Sequence, residues 1–102
     1  MIQINEEVLR EMVDAIVREV DPERVYLFGS YATGKTDEDS DIDLLVVERE
    51  PFGPERKRLA ELSRVRRALS SFRVPKDILV YSSDEFAHGR NSLNHIIGHC
   101  LR

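Results

Sequence analysis

The chain has 102 residues, 41% of them hydrophobic and 33% charged, with a formal net charge of −4. That length supports one domain, residues 1–102, with a modest core, and the acidic balance leaves no overall electrostatic footprint for nucleic acid. No apolar run reaches the length of a membrane span and the start lacks the apolar region of a secretory signal, while the single Cys100 cannot form an internal disulfide; the cytoplasm is therefore the expected location. Charge is unevenly placed: residues 37–43 are acidic, whereas residues 56–73 hold seven of the fifteen basic side chains.

Asn5 reads as a helix N-cap, with Glu6 and Glu7 in the first turn, where a helix favours negative charge. Val8, Leu9, Met12, Val13, Ile16, Val17 and Val20 recur at helical spacing. They predict an amphipathic helix over 5–20 that Asp21-Pro22 ends. Val25 to Phe28 is a short continuous apolar run, suited to a strand covered on both faces. Gly29-Ser30 follows. A glycine there lets backbone amides approach a phosphate, and the serine adds a hydroxyl donor. Residues 31–33 are expected to form the first turn of a short helix. Gly34-Lys35-Thr36 is not a P-loop, because an acidic segment follows where a helix should start.

Asp37, Glu38 and Asp39 read as solvated loop charges, and Ser40 as a turn residue. A second apolar run then begins with Asp41 and Asp43. Residues two apart on a strand share a face. Two carboxylates there repel each other and resist desolvation. A divalent cation removes both problems, and Mg²⁺ is typically held by one or two carboxylates with substrate phosphates. Ile42, Leu44 and Val46 face one side of this strand, and Asp41, Asp43, Leu45 and Val47 the other.

Glu48 to Gly53 reads as a connector. Pro54 suits a first helical position, and Leu59, Leu62, Val65, Leu69 and Phe72 predict a helix over 54–72. Its arginines are expected to form a solvated face. Residues 74–81 predict a third strand, opening with Pro75 and carrying Asp77 on the same face as Leu79 and Tyr81. Ser82 and Glu85 form a capping-box pattern for a short helix that Gly89 to Asn91 would break. A last helix is expected to hold Leu93, Ile96, Ile97, Cys100 and Leu101. His88, His95 and His99 lack a convincing zinc arrangement with Cys100.

Gly29-Ser30, a gap of ten residues, and Asp41-Ile42-Asp43 entering a strand resemble the signature of the nucleotidyltransferase superfamily related to DNA polymerase beta. The chain is most similar to the minimal nucleotidyltransferases, the antitoxin partners of HEPN-domain toxins. Thr33 departs from the pattern, since many relatives carry arginine there.

The resemblance implies an α/β (α+β) fold, a small mixed β-sheet flanked by helices like the polymerase beta palm. It also implies a third carboxylate on the strand after the helix, a position that Asp77 matches. Asp41, Asp43 and Asp77 would then be catalytic and metal-binding, with Mg²⁺ (two ions, Mn²⁺ able to substitute), and Gly29 and Ser30 nucleotide-binding. The implied reaction is transfer of AMP from ATP to a hydroxyl, that of a tyrosine, on a HEPN ribonuclease toxin. The chain would form a hetero-oligomer with that toxin. Two other readings stay open: a non-catalytic antitoxin that occludes the toxin, and a transferase acting on a small molecule or RNA.

Overall fold

The computed structural model describes residues 5–29, 41–93 and 97–102; of residues 90–93 and 97–99 only the backbone is described. Ser30, the expected short helix at 31–33, Thr33, the acidic loop Asp37 to Asp39, Ser40 and His95 therefore lie outside the described residues.

The first helix, α1, runs Glu6–Val20. Asn5 caps it, accepting a hydrogen bond from the Val8 N–H through Oδ1 at 2.9 Å. Asp21 ends it in the left-handed region at φ 44°, its N–H donating to the Val17 carbonyl. Met12, Val13, Ala15 and Ile16 are buried along one stripe.

Strands β1 (Arg24–Phe28), β2 (Ile42–Glu48), β3 (Lys76–Ser82) and β4 (Ile97–Cys100) form one sheet in the order β3-β2-β1-β4. β1 pairs antiparallel with β2 and β4, and β2 pairs parallel with β3, so the sheet is mixed, as expected. Val25, Leu27, Ile42, Leu44, Val46, Ile78 and Val80 form its core face. They pack under α1 and a second helix, α2 (Arg58–Ala68). A third helix, α3 (Ser83–Leu93), lies on the other face, where Phe86 stacks on Tyr26 with ring centroids 5.3 Å apart. Leu45 and Val47 on that face are buried too, which accounts for the continuous apolar run of β2. No described helix is long and apolar enough to cross a membrane.

Several expectations are corrected. The helix expected over 54–72 spans only Arg58–Ala68, because Gly53 and Arg56 close a backbone-bonded turn ahead of it. Leu59 is 74% exposed rather than part of the apolar stripe. Its spacing explains why: two steps of three residues each fall short of a full turn, leaving Leu59 about 120° from Val65. Glu48, read as opening the connector, ends β2 at the bound expected for a strand near 42–48, and its side chain is buried. Gly89 does not break α3, which continues to Leu93, and residues 97–100 form a strand where a helix was expected. That strand covers the backbone groups of β1 that would otherwise form a sheet edge. It also delivers the Leu101 N–H to the Val25 carbonyl at 2.7 Å. Finally, three arginines are not simply solvated: Arg56, Arg58 and Arg64 form ion pairs with Glu48, Glu85 and Glu19 respectively.

Candidate active site

One end of the sheet gathers the acids. The parallel ladder begins where the Ile42 N–H donates to the Pro75 carbonyl at 2.9 Å. That bond sets the register, which places Asp43 beside Asp77, Leu45 beside Leu79 and Val47 beside Tyr81. These residues point away from the core face, so Asp43 and Asp77 share one surface. Asp41 lies just outside β2 at the same end, exposed like Asp77, while Asp43 is half-buried.

β1 closes the other side of Asp43. Phe28 is its ladder partner, and the chain leaves β1 through Gly29 at φ +72°. A side chain at Gly29 would be strained by that backbone alone. It would also collide with Asp43, since an added Cβ would overlap Asp43 Oδ2. The Gly29 turn and the Asp43 carboxylate are thus packed directly against each other.

The three carboxylates feel one another. Burial pushes the Asp43 carboxyl above its ordinary value, and the charges of Asp77 and then Asp41 push it further. This is the behaviour of an acid cluster short of positive charge. Its oxygen donors are hard ligands of the kind Mg²⁺ prefers, so the residues fit a divalent cation. Among the described residues, no three His, Cys, Asp or Glu side chains are already drawn together around an ion-sized space.

Asp41, Asp43, Asp77 and Gly29 are therefore brought to one end of the sheet; Ser30 lies outside the described residues. A surface pocket lined by Arg24, Tyr26, Val47 and Phe86 sits at the opposite end, where β1 begins and β2 ends, away from the carboxylates. The sequence reading missed the buried Glu48, whose signal was an acid closing an apolar strand with basic residues soon after.

A family model for the nucleotidyltransferase domain matches residues 9–98. No curated protein matches the sequence. Among solved structures, a Sulfolobus solfataricus protein provisionally assigned as a nucleotidyltransferase superposes with a TM-score of 0.59 at 27% identity. The match covers 80% of this chain and 70% of that one. A chain of a toxin-antitoxin structure with AMP-PNP superposes with a TM-score of 0.52 at 23% identity, a likeness of fold, covering 70% of this chain and 56% of that one.

Proposed function

This chain belongs to the nucleotidyltransferase domain family, and from that premise we propose that it transfers AMP from ATP to a hydroxyl of a protein partner. The partner class is a HEPN-type ribonuclease toxin, and the acceptor is a tyrosine. The observation that carries the catalytic part is the ladder position of Asp43 beside Asp77, with Asp41 close enough to raise the Asp43 pKa and Gly29 packed against Asp43. The partner class rests on the resemblance to the minimal nucleotidyltransferases; the toxin-antitoxin chain with AMP-PNP shares the fold.

Asp41, Asp43 and Asp77 would hold divalent cations, which nucleotidyltransferase domains typically use. Such ions, when bound, stabilise the attacking and departing oxygens of a phosphoryl centre. Asp77 is exposed on an edge strand, where an acceptor can reach it, and would take the proton of the acceptor hydroxyl. The Gly29 turn packs its backbone directly on Asp43 with no side chain between, and Gly29 and Ser30 would hold the β- and γ-phosphates. The acceptor oxygen bonds to the α-phosphorus, the bond to the bridging oxygen breaks, and pyrophosphate leaves.

An AMP group adds roughly one negative charge and a bulky base to the toxin, which repels RNA phosphates. Co-expression with the toxin followed by intact-mass measurement tests this. AMP additions are expected with the wild type and not with Asp77→Asn. A toxin that stays unmodified while cells are fully protected would mean that the chain works by occlusion.

A further inference from the structure

Glu48 ends β2 with a side chain only 3% exposed, and its Oε2 is buried with no hydrogen-bond partner when the group is ionised. Its other oxygen accepts from Arg56 Nη2 at 2.9 Å. The same Arg56 nitrogen stands 3.9 Å from Glu61 Oε2, so two carboxyl groups meet at one guanidinium. Glu61 on α2 is nearly buried and accepts from Arg64 Nη1 at 3.0 Å. Arg64 is in turn shared with Glu19 of α1, and Arg56 with Glu50. On β3 the ladder partner of Glu48 is Ser82, whose N–H and hydroxyl are engaged with Glu85. Among these groups, Glu61 is the one whose carboxyl meets that of Glu48 at hydrogen-bonding range, the two converging on Arg56.

We infer that Glu48 and Glu61 share one proton, and that this proton latches the strap of residues 49–57 to the body of the fold. An ionised pair would leave two buried carboxylates in contact, at a cost one guanidinium offsets only in part. With a proton on Glu48 Oε2, that atom donates to Glu61, its Oε1 keeps Arg56, and every polar atom of the cluster is satisfied. Arg56 ties the strap to this cluster, while Arg49 at its start donates to the Asp21 carbonyl at 2.7 Å. Arg56 also donates to the Glu50 carbonyl and closes the Gly53–Arg56 turn through two backbone bonds. Within the strap, Phe52 stacks under both Arg56 and Arg58, and Arg58 reaches the Val80 carbonyl and Glu85. Release of the strap would therefore be felt at the first turn of α3.

The titration window is physiological. Burial, and then the bond to Glu61, push the Glu48 carboxyl up to about 7. Burial pushes Glu61 up as well, but its bonds to Glu48 and Arg64 outweigh this and hold it below its ordinary value. A carboxyl raised by folding supports the fold fully below its unfolded pKa and withdraws that support as pH rises through the folded one. For Glu48 the withdrawal runs from 4.5 to about 7.

Amide hydrogen exchange on the full chain, corrected for intrinsic rates, tests the latch. Between about pH 6 and about pH 8, opening of residues 49–57 should rise about tenfold relative to β2. In Glu48→Gln it should not rise, because the amide donates to Glu61 at any pH. Equal protection of the wild-type strap at both pH values, or the same rise in Glu48→Gln, overturns the inference. Should that variant not fold, carboxyl carbon NMR of the wild type decides. One glutamate titrating near 7 supports the shared proton, and all glutamates titrating below about 5.5 refute it.

Discussion

Asp43 and Asp77 stand side by side on adjacent parallel strands, and neither has a basic partner among the described residues. The fold carries their repulsion in the absence of a cation. Because folding raises the Asp43 pKa, its contribution to stability is present at low pH and lost as pH rises through the folded value. At neutral pH the ionised group is a burden. Asp43→Asn should therefore raise the melting temperature of the metal-free protein by about 1–3 °C, a modest figure since the site is partly solvated. The same variant should lose nucleotide transfer. Thermal unfolding at pH 7 and at pH 4 checks the sign: the gain should shrink at the lower pH, and a lowered melting temperature at pH 7 would count against it.

Gly29→Ala tests the packing of the turn on Asp43. The substitution adds left-handed strain and a clash with the Asp43 carboxylate. A loss of about 1–3 kcal/mol is expected in urea unfolding, with transfer activity lost beyond what the unfolded fraction explains. A stable, fully active variant would mean that Asp43 can move away from the turn at no cost to the reaction.

The strands were legible because acids interrupting apolar runs have few explanations. Asp43 and Asp77 each stand near the start of an apolar strand and Asp41 just before one, so their place at the strand starts was legible locally. Their adjacency was not: the parallel register depends on the Ile42–Pro75 bond, a long-range contact that no local pattern encodes. The end of the chain misled for a related reason. Leu93, Ile96, Ile97, Cys100 and Leu101 repeat at helical spacing, yet residues 97–100 pair with β1, where unsatisfied backbone groups outweigh a short helical pattern. Glu48 was hidden because its partners, Arg56 and Glu61, lie on a turn and a helix that only the tertiary fold brings to it.

The start of α3 offers a test independent of the site. The Ser82 N–H donates to Glu85 Oε1 at 2.9 Å and the Glu85 N–H to Ser82 Oγ at 3.2 Å, a reciprocal cap. Ser82→Ala should cost about 1 kcal/mol. The Arg58 guanidinium foremost, and then the Ser82 N–H, hold the Glu85 carboxyl down to about 2. A carboxyl depressed in this way stabilises the fold above its unfolded pKa and loses that effect as pH falls from 4.5 through about 2. Glu85→Gln should accordingly flatten the acid limb of the stability profile, which chemical denaturation at several pH values measures.

Cation dependence should appear in binding as well as in transfer. ATP with Mg²⁺ or Mn²⁺ should bind more tightly than ATP in EDTA, because the triphosphate otherwise meets three like charges. In a variant with Asp41, Asp43 and Asp77 all changed to asparagine that difference should shrink sharply. Isothermal calorimetry reads both, and equal wild-type affinity with Mg²⁺ and with EDTA would contradict the carboxylate assignment.

The position of the label on ATP tests the central claim most directly. The chain is incubated with Mg²⁺, a HEPN-type toxin and ATP carrying ³²P at either the α- or the γ-phosphate. Nucleotidyl transfer through Asp41, Asp43 and Asp77 predicts that the toxin acquires the α-label and not the γ-label, and that Asp43→Asn and Asp77→Asn each abolish it. Transfer of the γ-label, or undiminished α-labelling by either variant, would contradict the account.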